Sequence, residues 1–124
     1  MTRAPLILAG VAALMGAAGV ALAAAGVHEN GGELAERAAL FLLLHACAAL
    51  AIAAHARIVA GSARALLIVG FVMEAGAILF SAELAMHVFA GERIPFAAPI
   101  GGTTMLLAWI ALAVVFAVMG RKPV

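Results

Sequence analysis

The chain has 124 residues, of which 68% are hydrophobic and only 10% are charged. A soluble domain has about 45–50% apolar and about 25% charged residues, so this composition excludes a water-soluble fold and predicts a membrane protein. The net charge is +1 and no basic run occurs, which excludes nucleic acid as an expected partner. The length predicts one domain, and the single cysteine, Cys47, is expected to pack in a helix interface.

Four apolar runs predict four transmembrane helices. They cover approximately residues 5–27, 38–56, 65–90 and 99–119, and each is close to the roughly 20 residues that a helix needs to cross the hydrocarbon core. The stretches between them contain glycine, proline or charged residues and are predicted to be loops, at 28–37, 56–64 and 91–102. Because backbone groups in lipid must be hydrogen-bonded within their own segment, we predict an all-α, polytopic four-helix transmembrane bundle that takes up residues 1–124.

Basic residues beside these runs predict the orientation in the membrane. Five of them flank one side of the bundle, and these are Arg3, Arg57, Arg64, Arg121 and Lys122. Only Arg37 and Arg93 flank the other side. Since basic residues concentrate in cytoplasmic loops, both termini are predicted to be cytoplasmic. The first run resembles a signal peptide in its Ala-x-Ala pattern around 21–25, but it is long for one, so we expect an uncleaved helix.

Small residues at helical spacing predict where the helices touch. Helices in lipid associate by close backbone approach across glycine and alanine. The predicted stripe of the first run consists of Ala12, Gly16, Gly19, Ala23 and Gly26. That of the second run consists of Ala46, Ala49, Ala53 and Ala56.

The third run carries two carboxylates on opposite faces of its predicted helix. At about 100° per residue, Glu74 shares a face with Ser81, whereas Glu83, nine residues after Glu74, lies half a turn away beside Phe80. A carboxylate that faces lipid near the bilayer centre is costly. We therefore predict either a helix covered on both faces or an oligomer, with a second subunit, another membrane protein or a wet cavity against the second face.

The polar residues inside the runs support two interpretations. In the first, His45, Glu74, Ser81 and Glu83 are a candidate intramembrane proton site, because a buried glutamate can bind and release a proton and His45, at a depth similar to that of Glu74, can relay it. A contact of His45 with Glu74 or Ser81 would support this interpretation. In the second, the same groups hydrogen-bond to neighbouring helices and fix the packing.

Four short motifs occur in order along the chain. They are LAAAGVH (22–28), FLLLH (41–45), LFSAEL (79–84), and APIGG (98–102) followed by AW (108–109). Together they resemble the YgdD family of small four-helix proteins of the bacterial inner membrane, whose function is uncharacterised. The resemblance implies that architecture and an inner-membrane location, and it implies no substrate. The matching positions are His28, His45, Phe80, Ser81, Pro99, Gly101, Gly102 and Trp109.

The chain also departs from this family's pattern. Glu83 stands where the family has a second serine, Phe41 stands where it usually has tyrosine, and Glu74 matches no motif position. The departures argue against a family-wide task for either carboxylate.

The APIGG motif predicts the start of the fourth helix. Pro99 suits the first helical position, where its missing N–H is not needed, and Gly101 and Gly102 allow close approach. Thr104 can bond back to the chain. A re-entrant segment that lines a cavity is the alternative. Trp109 lies about ten residues further on, too deep for an interfacial aromatic belt, and is expected to pack in the bundle.

The sequence contains few features that indicate a cofactor site or a catalytic site. His28 and His87 are a weak candidate for a metal site, such as a zinc site, because no tight ligand spacing accompanies them. Haem is not expected, since His45 and His87 differ in depth by roughly 12 Å. No nucleophile with an adjacent base and no phosphate-binding loop is visible, so we expect no cofactor and no enzymatic activity.

The leading hypothesis is a non-enzymatic accessory or scaffold subunit in the bilayer, either a homo-oligomer or part of a larger membrane complex. The alternative is a small proton-coupled transporter or channel that uses Glu74 or Glu83 together with His45.

Overall fold

The computed structural model describes residues 3–121 and contains four α-helices within that range. They are α1 (Ala4–Gly26), α2 (Gly32–Ile58), α3 (Ala63–Ala90) and α4 (Ala97–Met119). Each is long and apolar enough to cross a membrane, which confirms the prediction of an all-α chain with four such helices. Short connections make successive helices antiparallel. Connections 27–31 and 91–96 share one end of the bundle, here called the loop end, and connection 59–62 lies at the opposite, terminal end.

All three predicted loops are shorter than expected. The loop predicted at 56–64 is reduced to residues 59–62, because α2 continues to Ile58 and α3 begins at Ala63. α2 begins at Gly32 instead of residue 38, because the charged sequence ELAER at 33–37 consists of strong helix formers that an apolar pattern does not reveal. α4 begins at Ala97, which reduces the predicted loop 91–102 to residues 91–96. Pro99 is therefore the third residue of the helix and not the first, although it still lies in the first turn, where its missing N–H is not needed. α4 then continues unbroken, so the re-entrant alternative is wrong.

α3 is the central helix of the bundle. It packs against each of the other three helices, and α1 also packs against α2. Within residues 3–121, no Cα atom of α4 lies within 8 Å of one in α1 or α2. α3 is therefore covered by α1 and α2 on one side and by α4 on the other. Glu74 and Glu83 are each only 2% exposed, so one chain suffices to bury both carboxylates. Their burial requires no second subunit, and oligomerisation stays a prediction.

Small residues set the spacing of α1 and α2 largely as predicted. A Cβ atom on Gly19 would lie 2.7 Å from Cγ of Leu43, and one on Gly26 would lie 2.6 Å from Cβ of Ala35. Gly16 is the exception in its stripe, since a Cβ there would meet nothing within 4 Å. The four alanines predicted for the second helix are all buried, namely Ala46, Ala49, Ala53 and Ala56.

The contact of α3 with α4 depends on the close approach of Gly101 in α4 to Gly76 in α3. A Cβ atom on Gly101 would lie 2.7 Å from the backbone nitrogen of Phe80 and 2.8 Å from the carbonyl oxygen of Gly76. Both are backbone atoms, so no side-chain rotation could relieve the clash. A Cβ on Gly102 would meet nothing closer than Cδ2 of Phe80 at 3.9 Å. Of the two predicted glycines, Gly101 is thus the one that permits close approach.

The buried apolar residues form two clusters along the bundle. One lies toward the terminal end and includes Leu8, Leu66 and Met73. The other lies toward the loop end and includes Met15 and Ala77. Glu74 follows Met73 directly and precedes Ala77 by one turn, so it occupies the junction of the two clusters.

Candidate functional site

His45 lies in α2 with 2% of its surface exposed, and both of its ring nitrogens are hydrogen-bonded. Nε1–H of Trp109 in α4 donates to Nε2 of His45 at 3.1 Å. Since an indole nitrogen can only donate, Nε2 must be unprotonated. Nδ1–H of His45 then donates to the carbonyl oxygen of Phe41 at 2.6 Å. This arrangement specifies the neutral Nδ1–H tautomer and leaves no ring nitrogen for a metal or for a relayed proton.

Aromatic rings surround this histidine and connect three helices. The ring of Phe41 stacks on that of His45 with centroids 6.0 Å apart, and Phe80 of α3 lies 5.0 Å from Phe41 by the same measure. Trp109 meets His45 edge-on at 6.0 Å. We call these four residues the aromatic cluster. It bridges the wide gap between α2 and α4, and it brings together three of the motif positions predicted from the sequence.

A second contact of the same kind lies toward the terminal end. His55 of α2 donates Nδ1–H to the carbonyl oxygen of Ala51 at 3.0 Å and meets Phe116 of α4 edge-on, with ring centroids 5.5 Å apart. No role was expected for His55. Its position ten residues after His45, on a helix parallel to α4, is the signal that could have revealed this pairing.

Ser81 joins α3 to α2. Its hydroxyl group is buried and donates to the carbonyl oxygen of Ala38 at 3.0 Å. That carbonyl has two lone pairs, so it can accept this bond in addition to its own helical one. The sequence allowed a contact of His45 with Glu74 or Ser81, and the structure instead pairs His45 with Trp109 and Ser81 with the α2 backbone.

Glu83 pairs with a basic residue of the α3–α4 connection. Oε1 of Glu83 lies 3.4 Å from Nε of Arg93, and the Arg93 side chain is 69% exposed while that of Glu83 is 3% exposed. The arginine therefore reaches from the surface to the edge of a buried carboxylate. The sequence pattern assigned Arg93 no role beyond indicating the orientation of the helices. The available signal was the shortness of the connection, which obliges the chain to fold back over the last turns of α3.

Glu74 has a different environment. Its Oε1 is the only buried side-chain nitrogen or oxygen in residues 3–121 without a hydrogen-bond partner. One turn before it, a Cβ on Gly70 would meet side-chain atoms of Leu8 and Ile52, so this face of α3 is closed by α1 and α2. A buried polar group without a partner is costly, and an unpaired buried charge costs far more. Among the four buried polar or charged residues of the described bundle, Glu74 is therefore the one that no hydrogen bond or ion pair connects to the rest of the chain.

The remaining predicted positions lie apart from this group. His28 is exposed in connection 27–31, Pro99 is exposed on α4, and His87 is partly buried on α3. In the described range, no three side chains of His, Cys, Asp or Glu come close enough to hold a metal ion. The weak alternative of a metal site at His28 and His87 gains no third ligand in that range and stays a prediction.

Comparison with known proteins gives one family. Its model, described as "Protein of unknown function (DUF423)", matches residues 15–102. Those residues run from the middle of α1 to the first turns of α4 and include Glu74, Glu83 and most motif positions. Searches of curated proteins and of solved structures gave no match.

Proposed function

The chain belongs to the family described as "Protein of unknown function (DUF423)", and on that premise we propose that it is a non-enzymatic accessory or scaffold subunit of a membrane complex. It is a multi-pass protein whose location we infer to be the bacterial inner membrane, with both termini in the cytoplasm. The motifs that resemble the YgdD family and the distribution of basic residues support this location and orientation.

The observation that supports the proposal is that three buried polar groups each form a hydrogen bond to another part of the chain. His45 bonds α4 through Trp109, Ser81 bonds α2, and Glu83 bonds the α3–α4 connection. Each of these groups is engaged in holding one part of the chain to another. A carrier needs polar groups that change partners during transport, whereas a scaffold needs fixed ones, so this pattern favours the scaffold.

The surface of α1 supports a partner in the membrane. Four of its exposed alanines lie on one face of the helix, namely Ala13, Ala17, Ala21 and Ala24. Small residues that face outward permit another helix to approach closely in lipid. We therefore infer that a helix of a second copy or of another membrane protein packs on α1.

Native mass spectrometry of the tagged protein, extracted gently from its own membrane, tests this proposal. We expect a homo-oligomer or a stoichiometric complex with another protein. Ala17→Phe should reduce the associated fraction by at least about tenfold, because a bulky ring blocks close helix approach. Val114→Phe, on the exposed surface of α4, is the matched control and should leave it unchanged. A monomer in the wild type, or equal loss in both variants, would contradict the proposal.

Proton-coupled transport is a second candidate, favoured by Glu74 alone. A buried carboxyl group with an unpartnered oxygen at the middle of a span is suited to binding a proton. Its test is proton flux into vesicles that contain the purified protein. Flux that is abolished by Glu74→Gln and retained in Glu83→Gln would support transport, and no flux above that of empty vesicles would exclude it. His45 has no place in this version, because both of its nitrogens are already bonded.

A further inference from the structure

The terminal end of the bundle carries positive charge that no acidic side chain in residues 3–121 compensates. Its exposed arginines are Arg3, Arg57, Arg64 and Arg121. None of them forms an ion pair within residues 3–121. Of the six acidic residues of the chain, five lie at or near the loop end and the sixth, Glu74, is buried in the middle. Within residues 3–121, no acidic side chain is therefore paired with this surface.

A cavity opens at the same end between three helices. Its volume is about 310 Å³, and it is lined by Pro5 of α1, Arg57 of α2, Val59 and Ala60 of the connection, and Ala63 and Leu67 of α3, together with neighbouring residues of α2. A water molecule takes up about 30 Å³ in the liquid, so the cavity has room for a group of roughly ten non-hydrogen atoms. That is the size of a glycerol phosphate.

Arg57 is the only charged side chain that lines this cavity. A guanidinium group presents a planar fork of N–H donors that matches two phosphate oxygens. The apolar side chains of Pro5 and Leu67 line the same cavity, as an acyl ester region would require. Basic pockets between transmembrane helices at the membrane surface are suited to anionic headgroups.

We propose that this cavity binds the headgroup of one anionic phospholipid, with its phosphate on Arg57 and its glycerol region against Pro5 and Leu67. The net charge of the surface attracts anionic lipid in general, and Arg57 selects the one molecule that occupies the cavity. This site is separate from the polar groups on which the proposed function rests, so either can fail without the other.

The test measures lipid that stays bound to the detergent-purified protein in native mass spectrometry. The probes are phosphatidylglycerol and phosphatidylcholine with identical acyl chains. We expect one phosphatidylglycerol to be retained in preference to phosphatidylcholine. Arg57→Gln should weaken this retention about fivefold or more, the factor that corresponds to about 1 kcal/mol for one basic residue near a lipid surface.

Arg64→Gln is the matched control, because Arg64 is exposed at the same end, carries the same charge and does not line the cavity. It should retain the lipid as the wild type does. Arg57→Lys keeps the charge without the fork and should give an intermediate loss. Since Arg57 is exposed and unpaired, all three variants should unfold at the temperature of the wild type.

Three results would overturn the assignment. Equal losses in Arg57→Gln and Arg64→Gln would mean diffuse surface attraction. Equal retention of phosphatidylcholine would mean that the cavity does not select an anionic headgroup over a zwitterionic one. Displacement of phosphatidylglycerol by millimolar inorganic phosphate would mean a site for free phosphate in place of a lipid.

Discussion

Glu74 and Glu83 lie on opposite faces of one helix and are equally buried, but only one of them has a partner. Glu83 is close enough to the loop end for Arg93 to reach it, whereas Glu74 lies roughly 13 Å deeper along α3, between two apolar clusters. The two faces also differ in what covers them, since α4 closes the Glu83 face and α1 with α2 close the other. Burial alone therefore does not distinguish the two carboxylates. They differ in whether a basic side chain from the end of the bundle can reach them.

Displacing α4 should affect one face of α3 and spare the other. Gly101→Ala places a methyl group against backbone atoms of Phe80 and Gly76, and we expect it to lower the free energy of unfolding by about 3 kcal/mol. Trp109 is the only tryptophan of the chain, so its fluorescence reports directly whether α4 stays docked. Gly102→Ala is the matched control and should be neutral or stabilising by up to about 1 kcal/mol, because alanine favours a helix. If the two variants behaved alike, the glycine contact would not hold α4 in place.

Removing the unpartnered carboxyl group should stabilise the bundle. Glu74→Leu replaces a buried polar group without a hydrogen bond by an apolar one of similar size, and we expect the free energy of unfolding to rise by about 1–3 kcal/mol. Glu83→Leu removes a paired group and should change it by less than about 1 kcal/mol. Chemical unfolding in detergent measures both. A loss of stability in Glu74→Leu would contradict this expectation and would mean that the carboxyl group is stabilised within the bundle.

Removing the Arg93 side chain should leave Glu83 buried without a partner, as Glu74 is. Arg93→Gln leaves a buried carboxylate without its cation, and we expect a loss of about 1 kcal/mol, a small effect because the arginine is largely exposed. The difference should shrink at high salt, which screens the pair in the wild type. Arg37→Gln, which removes an exposed and unpaired arginine, should leave the unfolding midpoint unchanged. Equal effects of the two variants would mean that the Glu83 contact contributes nothing.

The sequence predicted the helices and the faces of α3, since both follow from local rules. Apolar runs long enough to span lipid specify helices, and rotation by about 100° per residue places Glu74 and Glu83 on opposite faces. The start of α2 at Gly32 was missed because charged helix formers carry no apolar signal. The bond from Trp109 to His45 was missed because it depends on how α2 and α4 are rotated about their axes, and no pattern within one helix contains that information. The central position of α3 likewise follows from packing among four helices.

The attachment of α4 has a consequence for biosynthesis. A ribosome delivers the helices in chain order, and domains tend to assemble from the N-terminal side. Because α1, α2 and α3 pack on one another without α4, the Glu74 face can close while α4 is still being made. The Glu83 face then stays open to lipid until the next stretch of chain emerges. The first basic residue of that stretch is Arg93, three residues beyond the end of α3, so the counter-charge for Glu83 is synthesised before the helix that covers it.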